Sequence, residues 1–139
     1  MSPTLFWRNA NAEKIAQWCS KQKKIERVLY PGLRSSAGHR YARKQMSGFG
    51  MMMSVVMKGG GEAVERFIDR LKLWYLATSL GGVESTVSYP VLASHVNCTP
   101  EQLRLLDVSA ATVRLSVGIE NPEDLISDLD YSLNGALNG

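Results

Sequence analysis

Apolar positions recur at helical spacing in several stretches of the chain and alternate, or run together, at strand spacing in others. Ala12, Ile15, Ala16 and Cys19 follow the i, i+3, i+4, i+7 rule of a helix with one buried face, which Asn9 or Asn11 would cap and Lys21, Lys23 and Lys24 would follow. Val28, Leu29 and Tyr30 predict a short strand stopped by Pro31 and Gly32. A helix capped by Ser35 or Ser36 is then expected to run to about Met46, where Ser47 to Gly50 breaks it. Met51 to Met57 is apolar at every position but Ser54, which suits a strand covered on both faces and ended by Gly59, Gly60 and Gly61. Glu62 to Leu71 reads as an amphipathic helix, with Val64, Phe67, Ile68 and Leu71 on one face and Glu65, Arg66, Asp69 and Arg70 on the other.

The second half continues the alternation. Leu73 to Ala77 predicts a strand, and the turn at Gly81 and Gly82 separates it from another at Glu84 to Ser88. That pair is too closely spaced for a parallel crossover, so the sheet is expected to be at least partly antiparallel. Thr99, Pro100, Glu101 and Gln102 form a capping box that opens a short helix to Leu106. Thr112 to Val117 alternates, placing Val113, Leu115 and Val117 on one face and Arg114 with Ser116 on the other. Asn121 and Pro122 start the last helix, whose first turn carries Glu123 and Asp124 where the helix dipole favours negative charge. Leu125, Leu129, Leu133 and Leu137 form its apolar stripe. The expectation is an α+β two-layer domain over residues 1–139, with a small, partly antiparallel sheet covered by helices mostly on one face and the other face free to meet a partner.

Composition agrees with a folded domain: 139 residues, 45% hydrophobic and 21% charged. No apolar stretch approaches the roughly 18 residues of a membrane span, and Met1 to Asn11 lacks the pattern of an export signal. The expectation is therefore no membrane partner. Cys19 and Cys98 stand too far apart in sequence, and are too few, for a disulfide framework, which points to a cytoplasmic chain with free thiols. Charge is uneven: residues 1–72 carry 14 Lys/Arg against 5 Asp/Glu, and residues 73–139 carry 2 against 8. The densest basic run, Lys21 to Arg27, includes Glu26 and reads as a solvated helix end, so no nucleic-acid partner is expected.

Candidate chemistry is sparse. His39, His95, Cys19 and Cys98 make no zinc pattern, the methionines of Met51 to Met57 read as core and not as soft-metal ligands, and no nucleophile stands in a signature context. No catalytic, metal-binding or cofactor-binding residue is assigned. Arg114 has a guanidinium fork suited to a carboxylate, although from spacing alone a solvated strand arginine is the simpler reading. Likewise the glycine turn of Ser79 to Ser85 offers backbone amides to an anion, but a hairpin turn explains it more simply.

Four ordered strings alter this balance. Val28 to Leu33 (VLYPGL), Arg43 to Phe49 (RKQMSGF), Ser79 to Ser85 (SLGGVES) and Val113 to Leu125 (VRLSVGIENPEDL) resemble, in order and approximate spacing, the cystathionine γ-synthase and γ-lyase group, the Cys/Met-metabolism family of pyridoxal-phosphate (PLP) enzymes. The resemblance covers about Arg8 to Leu137 and is to the C-terminal domain of such fold-type I enzymes. It implies an amino-acid substrate, with Arg114 pairing with its α-carboxylate, Ser79 lining the same pocket and Thr78 at a position that bears on substrate choice. It also implies that the Schiff-base lysine and most PLP contacts belong to a companion domain, since no lysine here stands in the family's SxTK context; PLP is not expected to bind covalently to this chain alone. The chain departs from the family at Met51, where a glycine is common, and at Ser36 and Ala37, where many members have His and Pro.

Two functions follow as expectations. One is the substrate-carboxylate-binding portion of a PLP-dependent transsulfuration enzyme, incomplete for catalysis by itself and homo-oligomeric. The other is a stand-alone, non-catalytic interaction or dimerisation domain that pairs with itself or with a full-length relative.

Overall fold

The computed structural model describes residues 2–77 and 82–138, the last three of these by their backbone. The first element, α1 (Pro3–Ser20), starts earlier than the apolar spacing predicts. The hydroxyl of Ser2 accepts from the Leu5 amide at 3.3 Å, and Pro3 occupies the first helical position, where its missing N–H costs nothing. Asn9 and Asn11 are consequently inside the helix and serve tertiary contacts instead of capping it. Asn9 Oδ1 accepts from the Gly50 amide at 2.6 Å, and the Asn11 amide donates to the carbonyls of Gly118 and Glu120 at 3.1 and 2.9 Å.

After α1 the chain turns through Lys21 and enters β1 (Ile25–Leu29). The basic run thus begins at the end of α1, where Lys21 is the C-cap, as expected, passes through a turn and continues into a strand. Residues 31–38 are turns, and α2 (His39–Gln45) begins at Gly38 with no side-chain cap from Ser35 or Ser36. In place of that cap, the His39 ring lies 2.8 Å from the Pro31 carbonyl oxygen. Next come β2 (Met52–Met57), α3 (Gly60–Arg70), β3 (Tyr75–Leu76) and β4 (Thr86–Ser88). Gly59 turns from β2 into α3 with φ of 95°, a left-handed conformation that a side chain disfavours. A single 3₁₀ turn (Pro90–Leu92) then precedes α4 (Pro100–Leu105), β5 (Thr112–Ser116) and α5 (Pro122–Asn138). The expected capping box of Thr99 and Gln102 is complete, with both reciprocal bonds present.

The five strands are ordered β1-β2-β5-β4-β3. Neighbours are antiparallel except β3 and β4, which pair in parallel through Tyr75↔Thr86 and Leu76↔Val87. The expected reversal around Gly81 and Gly82 is therefore not a hairpin. With only two paired residues, the chain needs to return about 7 Å along the strand, and no helix stands among the described residues between the two, Gly81 lying outside them. Trp74, expected in the strand, is buried ahead of it and donates Nε1 to the Leu125 carbonyl at 3.3 Å.

One apolar cluster lies between the sheet and the helices. It joins Ala12, Ile15, Ala16 and Cys19 of α1, Ala63, Val64 and Phe67 of α3, and Leu125, Leu129 and Leu133 of α5 to Met53, Val55, Val87, Val113 and Leu115 of the sheet. The alternation of Thr112 to Val117 explains the outcome: one set of side chains meets the helices and the other faces away. Met53 and Met57 belong to this core as expected, whereas Met51 and Met52 are half-buried, so β2 is not fully covered on both faces.

Candidate functional site

Arg114 sits in β5, the middle strand of the five, and not at an edge. Its register partners are Ser54 on β2 and Ser88 on β4, so on the face away from the helices a guanidinium stands between two hydroxyl-bearing positions. The side chain is half-buried and has no hydrogen bond or ion pair among the described residues. A strand arginine held in a fixed backbone, with no donor committed among the described residues, is arranged to bind a planar anion. Ser79 and Thr78, the other expected substrate-contacting residues, lie outside the described residues.

The end of β5 beyond Arg114 is tied down by polar contacts. Arg8, 3% exposed, donates Nε to the Val117 carbonyl at 2.7 Å and Nη2 to Ser116 Oγ at 3.3 Å. Burial lowers the Arg8 pKa from its ordinary value, and the Glu120 carboxylate partly offsets this. Glu120 accepts from the Ser85 amide at 2.7 Å and the Ser85 hydroxyl at 2.8 Å, while Ser85 Oγ in turn accepts from the Gly118 amide at 2.8 Å. The approach is close enough to require glycine: a Cβ on Gly118 would lie 2.5 Å from Glu120 Oε2 and would collide with the Val83 carbonyl. None of Arg8, Ser85 or Glu120 was marked by the sequence reading. Ser85 and Glu120 stand in the strings that carry the resemblance, and Arg8 extends the buried stripe of α1 one turn toward its start, a faint signal that a charged residue there has a partner.

Beside this arrangement lies an open cavity of about 610 Å³, between α3 and the β3 edge. Ser88 lines it together with Tyr89, Leu76, Leu92 and Ala77, and Glu65 and Asp69 stand at its α3 side. Tyr89 is held there by its hydroxyl, which donates to the Ala110 carbonyl at 2.7 Å. Ser88 thus belongs both to the row of Arg114 and to the cavity wall.

No lysine contributes to this region. All the lysines are exposed except Lys24, which is half-buried and donates to the backbone and side-chain oxygens of Asn134 at 3.3 and 3.1 Å. An imine with an aldehyde cofactor needs an amine enclosed and partly desolvated, so that the neutral form is available to attack. Among the described residues the lysines do not fit that requirement, and no step of catalysis through PLP is assigned to them.

The family model for Cys/Met metabolism PLP-dependent enzymes matches residues 5–134. The chain belongs to this family. Among its relatives, an L-methionine gamma-lyase of Fusobacterium nucleatum subsp. polymorphum is 45% identical over 123 residues, which are 88% of this chain and 31% of that protein. A cystathionine beta-lyase of Lactococcus lactis subsp. cremoris (strain MG1363) is 41% identical over 125 residues, 90% of this chain and 33% of the relative. The crystal structure of cystathionine gamma synthase from Xanthomonas oryzae pv. oryzae, solved in complex with aminoacrylate and cysteine, superposes with a TM-score of 0.93 at 39% identity and covers 97% of this chain and 35% of its own. The chain therefore spans about a third of the length of the family members it matches. Its α+β architecture is that of the corresponding region of the solved transsulfuration enzyme. No helix among the described residues is long and apolar enough to cross a membrane.

Proposed function

We propose that residues 1–139 act as the substrate-carboxylate-binding C-terminal portion of a PLP-dependent transsulfuration enzyme that is cytoplasmic and oligomeric. Arg114 binds the α-carboxylate of an amino acid through parallel hydrogen bonds, while Ser79 lines the same pocket and Thr78 bears on substrate choice. The observation that carries the proposal is the guanidinium of Arg114 on the central strand, without a hydrogen bond or ion pair among the described residues, in a chain of this family. A clamp of this kind orients the substrate Cα for reaction and requires no proton transfer by this chain. The reacting lysine and the cofactor pocket belong to a companion domain.

The test is reconstitution with a lysine-bearing PLP domain, followed by turnover of cystathionine or methionine. The expected outcome is activity from the mixture and from neither part alone. A second reading, a stand-alone interaction domain, is favoured by the exposed aromatic pair Phe6 and Trp7, 57% and 59% exposed, at the start of α1. A stable self-associated species that gives no activity with any lysine-bearing partner would select that reading instead.

A further inference from the structure

We infer that Glu120 is a positioning residue of the carboxylate site: through Ser85 it locks the start of β4 to the end of β5 and thereby fixes the surroundings of Arg114. The inference rests on the proposed role of Arg114 and adds a residue outside the clamp itself. Three observations carry it. First, both Glu120 carboxylate oxygens are committed to one residue, Ser85, at 2.7 and 2.8 Å, and the Ser85 hydroxyl passes the contact on to the Gly118 amide. Second, the Ile119 amide donates to the Val83 carbonyl at 2.9 Å, so the strand ends are joined on both sides of Gly118. Third, Ser85 immediately precedes β4, whose Thr86 and Ser88 are the register partners of Ser116 and Arg114. A displacement at Ser85 is therefore transmitted to the strand that flanks Arg114.

The surroundings explain why a carboxylate suits this position. Ser85 is fully buried, and its hydroxyl needs an acceptor for its proton while it accepts from Gly118. Asn11 holds the backbone carbonyl of Glu120 at 2.9 Å, and the nearby cation of Arg8 offsets the negative charge. The Ser85 contact joins two segments without touching the ligand, and this separates it from the fork of Arg114.

The experiment titrates the chain with L-norleucine, an unreactive amino acid, and follows the backbone amide ¹⁵N resonances of Ser54 and Ser88, the register partners of Arg114. Wild type is expected to bind, and Arg114→Ala to abolish the response. Glu120→Ala should weaken binding about tenfold while Val113 and Leu115 keep their amide-exchange protection, and Glu120→Gln, which retains an acceptor for the Ser85 amide but none for the Ser85 hydroxyl proton, should recover only part of the loss. Should Glu120→Ala fail to fold, Ser85→Ala removes the hydroxyl contacts alone and is expected to weaken binding in the same direction. Wild-type affinity in both Glu120→Ala and Ser85→Ala, with Arg114→Ala inactive, overturns the positioning role and leaves the clamp standing. No response in wild type, or a response that survives Arg114→Ala, overturns the clamp and this inference with it.

Discussion

Arg8 donates its Nε to the carbonyl oxygen of Val117 at 2.7 Å, which fastens the first helix to the end of the central strand. The guanidinium is buried, so its removal leaves both that carbonyl and Ser116 Oγ without their donor. Arg8→Ala is expected to destabilise the fold by about 2–4 kcal/mol, the range for losing a buried charged hydrogen bond and its packing. Chemical denaturation should show a lower midpoint with an unchanged slope. A variant as stable as wild type would mean that water replaces the guanidinium.

Arg114→Ala, by contrast, removes no hydrogen bond or ion pair among the described residues. Its effect on unfolding free energy should stay within roughly 0–1 kcal/mol, while binding of an amino-acid carboxylate weakens by about 2–5 kcal/mol. Arg114→Lys should recover only part of that binding, because an ammonium lacks the fork. Paired melting curves and carboxylate titrations separate the two effects. Unfolding on substitution would reassign Arg114 to the fold.

Acid should weaken the tie between β1 and the turn that follows α4. Arg27 donates both terminal nitrogens to Asp107 at 2.8 Å, and this hydrogen bonding holds the Asp107 carboxyl below its ordinary range. A carboxyl with a lowered folded pKa stabilises the native state above its unfolded value, about pH 4, and loses that contribution as pH falls through the folded value. Asp107 also has φ of 56°, which asparagine tolerates better than other replacements. Asp107→Asn is therefore expected to flatten the stability profile below pH 4 without backbone strain. An unchanged profile would show that the exposed pair contributes nothing.

The two thiols should differ in reactivity. Burial pushes the Cys19 thiol up to about 12, so its thiolate is scarce at neutral pH, and the side chain is packed in the core. A disulfide reagent is expected to modify the half-buried Cys98 in the native chain and Cys19 only after denaturant is added. Equal native rates at both positions would indicate frequent opening of α1 from the sheet.

Local periodicity made much of the fold legible. The alternation of Thr112 to Val117 placed Val113, Leu115 and Val117 in the core and left Arg114 on the other face, and the leucine stripe of α5 buried Leu125, Leu129 and Leu133. The capping box at Thr99 was equally readable, because its bonds lie within one turn. Helix starts were less legible. Asn9 and Asn11 have the chemistry of caps, but Ser2 and Pro3 offer a cap upstream, and both asparagines find partners distant in sequence.

The sequence by itself thus determined the α+β class, the family and the face on which Arg114 stands, since each depends on residue order and short-range periodicity. Tertiary structure alone decided that β5 is central, that β3 runs parallel to β4, and that Arg8, Ser85 and Glu120 converge beyond Arg114. The physical reason lies in how the contacts form. Strand order and buried polar pairs depend on which distant segments the shared core brings within hydrogen-bonding reach, and Arg8 and Val117 stand at nearly opposite ends of the chain.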